Sequence, residues 1–284
     1  MATPVENPRP DRHGDWCFGD DEPGLLSALS KGVTHLWANT ILFATHPLQT
    51  SVKIGDFANK VKLIGQPPRL VEQYDDKELV NNLLRKAGGF SMPAAWTIHD
   101  EHDDLATHLQ TLSLPFPVVG KPIRGRGSHG VKVCHSLQEL TTHAEALFKE
   151  SPSIMVEEFL QGEEATVTIM PPGEGKKDYW ALPIARRFNH QGGVAPYNGV
   201  VAVTANSEAV VGDAASHPTY IEAARQCERA ASLLKTTAPI RIDIRRYKDS
   251  PESAFALFDV NMKPVGDFPP QHCMTHTDSH GNRT

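Results

Sequence analysis

The sequence lacks the features of a membrane-spanning, exported or nucleic-acid-binding protein. No apolar run approaches the roughly 18 residues that a membrane helix needs, and no charged-then-apolar leader is present, so we expect neither a membrane span nor a secretory signal. Only four cysteines are scattered through the 284 residues, which favours reduced thiols and a cytoplasmic location. The net charge of -6 argues against a nucleic-acid partner, since such proteins usually carry a basic face.

The signature motifs of several enzyme classes are also missing. The chain has no G-x-x-x-x-G-K-[ST] phosphate-binding loop and no H-R-D and D-F-G motifs of protein kinases. It also has no G-x-S-x-G nucleophile elbow, which excludes the common serine hydrolases. Any chemistry on a nucleotide must therefore be carried by other residues.

What the sequence does contain is a glycine-rich stretch with basic flanks. Residues Gly125 to Gly130, "GRGSHG", fit the pattern G-x-G-x-x-G. However, Val131 to Cys134 alternates apolar and polar residues as a strand does, and the next helix is predicted only from Ser136, which forms a capping-box pattern with Glu139. The glycines are therefore predicted to join two strands, not to open the helix of a dinucleotide-binding fold.

A glycine hairpin of this kind suits an anion, because backbone N–H groups can approach it closely where no Cβ stands in the way. Lys121, Arg124 and Arg126 add positive charge around the loop. The alternative interpretation is a solvated basic turn, and the loop by itself does not decide between the two.

The stretches "IRIDIRR" and "FALFDVN" are a second candidate functional region, in which two predicted strands carry charged and amide side chains. The residues predicted to share an apolar face are Ile240, Ile242 and Ile244 in the first strand and Ala256, Phe258 and Val260 in the second. A polar connection predicts an antiparallel hairpin, whose opposite face brings together Arg241, Asp243, Asp259 and Asn261. Oxygen ligands without histidine or thiolate favour a hard cation such as Mg²⁺. The alternative is a solvated strand face with an ordinary ion pair between Arg241 and Asp243.

The remaining pattern predicts an α+β fold class. Helices are predicted at 25–29, 76–87, 137–149 and 220–234, the last with a capping box of Thr219 and Glu222. Strands are predicted at 36–43, as a buried strand of a parallel sheet, and at 61–64, 155–159, 165–170, 180–185, 200–204, 240–245 and 255–261. From residue 76 onward the elements mix without regular βαβ alternation. We expect a mobile leader over residues 1–23, a partial α/β domain over 24–75, the main domain over 76–266 and a disordered tail over 267–284.

Five segments resemble, in this order, the ATP-grasp family and within it the D-alanine:D-alanine ligase branch. They are "DDKELVNNLLRKAGGFSMP", "FPVVGKPIRGRGSHGVKV", "IMVEEFLQGEEATVTIM", "RIDIR" and "FDVN". The resemblance implies an ATP-grasp fold, in which two α+β subdomains hold ATP, preceded here by a short partial pre-ATP-grasp α/β domain. It also implies one or two Mg²⁺ ions that bridge the phosphates, with Mn²⁺ as a possible substitute.

The resemblance further implies roles for individual residues. The implied nucleotide contacts are Lys77, Lys121, Gly125, Gly127, Ser128 and Gly130 for the phosphates, Glu157, Glu158, Phe159 and Leu160 for the adenine, and Glu164 for the ribose hydroxyls. The implied metal ligands are Asp243, Asp259 and Asn261. Arg241 is implied to lie near an acyl phosphate, and Arg186, with Arg187 beside it, is a candidate for binding the γ-phosphate or a substrate carboxylate.

The implied reaction joins a small-molecule carboxylate to a small-molecule amine, with amino acids as the expected substrates. ATP phosphorylates the carboxylate, the amine attacks the acyl phosphate, and an amide or peptide bond forms; related ligases often form homodimers. Two positions depart from the family, since Arg124 and Asp259 each stand where glutamate is common. The segment after Asn261 also lacks the usual Pro-Gly and closing helix, so the alternative is a nucleotide-binding protein without catalytic turnover.

Overall fold

The computed structural model describes residues 2–37, 42–43, 45–101, 104–125, 128–173, 175–194 and 205–263. The chain divides into two compact units, a smaller one that includes the residues up to Val71 and a larger one that begins at Glu72. We call them the N-terminal unit and the large unit. Within the described ranges, no helix is both long and apolar enough to cross a membrane.

The N-terminal unit combines short helices with a pair of parallel strands. Its elements are α1 (Glu22–Ser30), β1 (His35–Trp37), α2 (Pro47–Thr50), α3 (Val52–Gly55) and β2 (Lys62–Ile64). β1 and β2 pair in parallel, and Leu36 of β1 packs against a small core of Leu25, Leu29 and Ile54. The boundary between the two units falls within α4 (Pro68–Tyr74).

The predicted strand at 36–43 is described only at its start, and residues 38–41 lie outside the described part of the chain. The prediction that this strand is buried is wrong for the described part, because Trp37 is 70% exposed. β1 has one described neighbour, and only its Leu36 side contacts the core, so the alternate side chains remain in solvent.

The segment for which a mobile leader is predicted carries several local contacts. A 3-10 helix at His13–Asp15 is followed by Trp16, whose Nε1 donates to the carbonyl of Arg9 at 2.8 Å. The guanidinium of Arg9 lies 3.0 Å from the Asp15 carboxylate. The predicted short helix is confirmed as α1, but it begins at Glu22 because Asp21 caps it.

The first half of the large unit is an antiparallel sheet covered by helices. Its elements are α5 (Lys77–Ala87), β3 (Ala95–His99), α6 (Leu105–Thr111), β4 (Val118–Pro122), β5 (Lys132–Cys134), α7 (Leu137–Phe148) and β6 (Ser153–Glu158). The strand order is β3-β6-β4-β5, and all pairs are antiparallel. Its core contains Ile98, Leu109, Val118, Leu140 and Ile154.

Several predictions for this half are confirmed. α5 begins after Asp76, whose side chain accepts from the Leu79 N–H, and it ends at Gly88, which has a φ of 74°. The glycine stretch does join two antiparallel strands, β4 and β5. Ser136 caps α7 as predicted, but the Glu139 carboxylate accepts from the backbone of His135 rather than that of Ser136.

The second half of the large unit is built on another antiparallel sheet. Its elements are β7 (Glu164–Met170), β8 (Trp180–Ala181), β9 (Ala185–Arg187), β10 (Ser207–Ala209), α8 (Pro218–Leu233), β11 (Ile240–Arg246) and β12 (Phe255–Asn261). The strand order is β10-β9-β7-β11-β12, with β8 also beside β7, and α8 packs against β7, β8, β11 and β12. This mixture of helices and antiparallel sheets confirms the α+β fold class.

Two predictions for this half need correction, and a third cannot be compared with the described residues. α8 is capped by His217, whose Nδ1 accepts from the Thr219 N–H, so the predicted capping box of Thr219 and Glu222 is wrong. Pro218 occupies the first helical turn, where its missing N–H costs no hydrogen bond. The predicted strand at 180–185 consists of two short strands, β8 and β9. The predicted strand at 200–204 lies outside the described residues.

Candidate functional site

The hairpin of β11 and β12 brings the predicted acidic residues together. Asp243 pairs directly with Asp259, and Arg241 pairs with Asn261, which confirms the predicted antiparallel arrangement. A bulge at Phe258 shifts the alternation of β12. As a result Leu257 lies opposite Ile244, and Val260 lies opposite Ile242, so the prediction that Ala256, Phe258 and Val260 share one face is wrong.

The two facing carboxylates are held by polar groups on the same face. Arg241 Nη2 donates to Asp243 Oδ2 at 2.9 Å, and Asn261 Nδ2 lies 3.3 Å from both Asp243 Oδ2 and Asp259 Oδ2. The other oxygen of Asp243, Oδ1, is buried and accepts no hydrogen bond from a described residue. Such an orphaned acceptor is rare in a folded protein and marks a place where a ligand is expected.

The electrostatics of the two carboxylates differ. Burial raises the pKa of Asp243 above its ordinary value, and the nearby charge of Arg241 offsets only part of this effect. Burial also acts on Asp259, but Lys77, Lys121 and Arg241 together hold its pKa below the ordinary value. A cation bound between them would favour the ionised form of both carboxylates.

The donor set of this face fits a hard cation. In the described parts of the chain, no three or more His, Cys, Asp or Glu side chains are grouped so as to hold a metal ion. Here the oxygen donors are two carboxylates and one amide, a set that suits Mg²⁺ because that ion keeps several waters. A half-turn of the Asn261 amide would present its oxygen in place of Nδ2.

Two lysines approach the carboxylates from the first half of the large unit. Lys77, the first residue of α5, has its Nζ 3.8 Å from Asp259 Oδ1 and donates to the carbonyl of Gly125 at 2.9 Å. Lys121 of β4 is buried, and its Nζ donates to the carbonyl of Phe258 at 3.1 Å. The bulge therefore aims a backbone acceptor at Lys121 next to the carboxylate pair.

The same Lys121 forms a buried ion pair with Glu157 of β6, with 2.6 Å between Nζ and Oε2. The other oxygen, Oε1, accepts from the side-chain amide of Asn81 at 3.2 Å. Asn81 was not among the predicted site residues, although the sequence carries a signal for it. It lies between Val80 and Leu84 on the buried side of α5, where a polar residue needs a partner.

Glu164, at the start of β7, is also buried and lies beside His190 and Arg245. His190 Nε2 donates to Glu164 Oε2 at 2.9 Å, and Arg245 Nη1 lies 3.6 Å from the same oxygen. Arg245 also donates to the carbonyl of Gly193 at 2.7 Å, and its guanidinium stacks over the Phe159 ring at 4.8 Å. Neither His190 nor Arg245 is among the predicted site residues, because both are distant from Glu164 along the chain.

The residues that follow Glu157 are placed along the end of β6. Glu158 accepts from the Ala94 N–H at 3.3 Å through its side chain, and Phe159 donates its N–H to the carbonyl of Pro117 at 3.3 Å. Leu160 is buried. This stretch therefore lies at the end of β6, an inner strand of the first sheet, and Phe159 there contacts Arg245.

The glycine hairpin is described except at residues 126–127, so the predicted contact Gly127 lies outside the described residues. Ser128 and Gly130 have φ values of 60° and 67°. The imidazole Nε2 of His143 donates to the carbonyls of Gly120 and Gly130, at 3.3 Å and 3.0 Å, and ties the hairpin to α7. Arg124, which is half exposed, donates to the Asp76 carboxylate at 3.1 Å.

The two arginines of β9 lie on opposite faces of the second sheet. Arg187 pairs with Glu164 in the strand register and so shares the face of Asp243. Arg186 lies on the other face, where its guanidinium pairs with Glu163 at 3.4 Å and also contacts Glu208. The position of Arg187, not that of Arg186, suits a role beside the carboxylates.

Comparison with known proteins gives one family match and several relatives. Residues 89–265 match the model of the family "D-ala D-ala ligase C-terminus". The D-alanine–D-alanine ligase of Aquifex aeolicus is 37% identical over 117 residues, which is 41% of this chain and 36% of that protein. D-alanine–D-alanine ligase A of Bacillus cereus is 31% identical over 137 residues, 48% of this chain and 42% of that protein. The chain thus spans less than half the length of these relatives.

Solved structures show the same fold. A D-alanine–D-alanine ligase from Bacillus anthracis complexed with ATP superposes with a TM-score of 0.56 and 19% identity, over 84% of this chain and 69% of that chain. The ligase from Coxiella burnetii superposes with a TM-score of 0.54 and 14% identity, over 71% of this chain and 51% of that chain. These likenesses confirm the ATP-grasp fold that the sequence predicts.

Proposed function

Because the chain belongs to the D-alanine–D-alanine ligase C-terminal family of ATP-grasp proteins, we propose that it is an ATP- and Mg²⁺-dependent ligase that joins a carboxylate to an amine. The observation that carries this proposal is the direct pairing of Asp243 with Asp259. Like charges placed opposite each other destabilise a sheet, so their retention beside Lys77, Lys121 and Arg241 favours a cation and phosphates at this position.

When bound, Mg·ATP would supply its γ-phosphoryl group to the substrate carboxylate, which gives an acyl phosphate and ADP. The amine would then attack the carbonyl carbon of the acyl phosphate, so that the amide forms and phosphate and a proton are released. Asp243, Asp259 and Asn261 hold the metal ion in this proposal. Arg241 and Arg187 stabilise the negative charge on the transferring oxygens, because they lie on the face that carries the carboxylates. Of the two candidate arginines, Arg187 therefore takes the role for which Arg186 was the predicted residue.

The lysines neutralise the polyphosphate. The ammonium group of Lys121 has three donors, of which Glu157 and the carbonyl of Phe258 take two, so one donor is left for a phosphate oxygen. Lys77 lies between the glycine hairpin and Asp259, where it bridges the phosphates and the metal site. The hairpin residues Gly125 to Gly130 supply backbone N–H groups.

The base and the ribose lie at the end of β6 and the start of β7 in this proposal. Glu157 accepts from the adenine amino group, the backbone from Glu158 to Leu160 meets the ring edge, and Glu164 accepts from the ribose hydroxyls. The burial of both carboxylates supports these roles. Each carboxylate is already held by hydrogen bonds from neighbouring side chains, which stabilise it in the buried site and fix its position for the nucleotide.

We further propose the substrate class, assembly, location and domains of the protein. Its substrates are small molecules, with amino acids as the first class to test, and the active form is proposed to be a cytoplasmic homodimer. Buried thiols at Cys134 and Cys227 support the reducing compartment. The proposed domains are a partial pre-ATP-grasp domain over residues 24–75 and an ATP-grasp domain over 76–266, and the division near Val71 supports this boundary.

The test is ADP release from Mg·ATP with a panel of L- and D-amino acids as carboxylate and amine donors. We expect release that requires an amino acid, disappears in Asp259→Ala and persists in Asp249→Ala, an exposed acid in the turn of the same hairpin. Folded protein that binds Mg·ATP without releasing ADP with any member of the panel supports nucleotide binding without turnover instead.

A further inference from the structure

Residues 188–194 follow β9 directly and precede residues 195–204, which lie outside the described part of the chain. They pack beside Glu164 and Phe159 in the large unit. The Phe188 N–H donates to the carbonyl of Asn206 at 2.9 Å, and Gln191 and Val194 close a short bridge. Gly192 and Gly193 turn the chain with φ values of 56° and 82°. We call this segment the 188–194 turn.

Gly193 brings this turn against Phe159, which belongs to the proposed adenine-binding stretch Glu157 to Leu160. A Cβ built on Gly193 would lie only 3.1 Å from carbon atoms of Phe159 and of Val133. The Gly193 carbonyl accepts from Arg245, which stacks on the same Phe159 ring. The 188–194 turn, Phe159 and Arg245 therefore form one packed cluster, and His190 belongs to the turn within it.

His190 is the part of this turn that reaches Glu164. Its Nε2 lies 2.9 Å from Glu164 Oε2, and the two side chains are 20% and 8% exposed. Without this contact the terminal torsion of the Glu164 carboxylate is less restrained, since Arg245 lies farther from Oε2, at 3.6 Å. One pinned oxygen fixes the orientation of the other.

Resting on the proposed function, in which Glu164 accepts from the ribose hydroxyls, we propose that His190 is a positioning residue for ribose recognition. It holds Oε2 of Glu164, so that the remaining acceptor capacity of the carboxylate faces the nucleotide in a single orientation. The 188–194 turn thus contributes to the selection of ribonucleotides over deoxyribonucleotides. It does so from a distance along the chain, since His190 lies 26 residues after Glu164.

The experiment measures the Kd of Mg·ATP, Mg·2′-deoxy-ATP and Mg·3′-deoxy-ATP by calorimetry for the full chain and three variants. The wild-type protein is expected to bind ATP about tenfold more tightly than at least one deoxy analogue, the effect of one hydrogen bond to a charged group. His190→Ala is expected to reduce that preference to about twofold, and His190→Gln to restore it, because the glutamine amide can donate to the same oxygen. His99→Ala, which removes an exposed histidine bonded to Ser153, is the control and is expected to keep the wild-type preference.

The readout separates positioning from a structural role, since general damage to the fold weakens all three nucleotides alike. A wild-type preference that persists unchanged in His190→Ala overturns the inference and leaves the proposed function standing. Equal binding of all three nucleotides by the wild-type protein also overturns it. Folded wild-type protein that binds none of them overturns the proposed function together with the inference.

Discussion

Lys121 and Glu157 form a buried ion pair that connects two strands of the first sheet, with 2.6 Å between Nζ and Oε2 and less than a tenth of either side chain exposed. Each partner has a second contact, because Lys121 also donates to the Phe258 carbonyl and Glu157 also accepts from Asn81. The pair therefore links the proposed adenine position to the bulged strand that carries Asp259. A buried charge left without its partner costs much more than the pair itself contributes.

The first prediction follows from this asymmetry. Glu157→Ala should lower the free energy of unfolding by about 3 kcal/mol, because it leaves the ammonium of Lys121 buried with only a carbonyl as its partner. Urea unfolding of the full chain measures this loss, with Glu145→Ala, an exposed glutamate on α7, as the control. A loss no larger than that of the control contradicts the importance of the pair. The double variant Lys121→Met with Glu157→Leu should recover most of the loss, because it removes both charges.

A second prediction concerns Asn81 and its sequence neighbour Asn82. Asn81 is buried and donates to Glu157, whereas Asn82 is exposed on the same helix. Asn81→Ala should destabilise the protein by about 2 kcal/mol through the lost hydrogen bond to a charged group, and Asn82→Ala should change the stability by less than about 0.5 kcal/mol. Asn81→Asp should be worse than Asn81→Ala, since it places a second carboxylate against Glu157. Equal unfolding midpoints for the two alanine variants would show that the Asn81 contact is unimportant.

A third prediction uses ligand linkage at the carboxylate pair. A ligand that binds only the folded protein stabilises it, by about 2.7 kcal/mol at about 100 times its Kd. Mg·ATP should therefore raise the Tm of the wild-type protein, and excess EDTA should reverse most of the rise. Asp259→Ala should remove the effect of the metal, because Asp259 is the carboxylate that three neighbouring cations hold ionised. A rise in Tm with ATP that is the same with EDTA and with Mg²⁺ argues against a metal site here.

Some of this site could be predicted from the sequence, and the reason is the fixed period of a strand. Alternation in a hairpin predicts that Asp243, Asp259 and Asn261 share one face, which the structure confirms, and the register shows in addition that the two aspartates pair directly. The bulge at Phe258 could not be predicted in this way, since strict alternation leaves no place for an unpaired residue. Its carbonyl accepts from Lys121, which is distant along the chain. The partners of Glu157 and Glu164 were missed for a similar reason, because Asn81 and His190 are distant along the chain and no local pattern links them to these acids.

The sequence could not show which of Arg186 and Arg187 faces the carboxylates. The sequence gives two adjacent arginines, and a shift of one residue in a strand moves a side chain to the opposite face. Only the pairing of β9 with β7 shows that Arg187 shares the face of Glu164 and Asp243.

The fourth prediction tests this assignment. Arg187→Ala should lower the kcat of ADP release by about 100-fold, as expected for a cation that stabilises transferring oxygens. Arg186→Ala should lower it by no more than about threefold, because Arg186 forms half-exposed ion pairs with Glu163 and Glu208 on the other face. Steady-state kinetics of the two alanine variants make the comparison, with circular dichroism to show that both are folded. A larger loss for Arg186→Ala than for Arg187→Ala would return the catalytic role to Arg186.

The last prediction concerns the cysteines. Cys17 is exposed, whereas Cys134 and Cys227 are buried, and burial raises the pKa of both buried thiols. Since the thiolate is the reactive form, neither buried thiol should react with an aromatic disulfide reagent between about pH 7 and pH 8.5, where an ordinary exposed cysteine becomes increasingly ionised. Peptide mass spectrometry after brief labelling should find the label on Cys17, and on Cys134 and Cys227 only after unfolding in urea. Rapid labelling of Cys227 in the native protein would mean that α8 opens readily from the sheet that it covers.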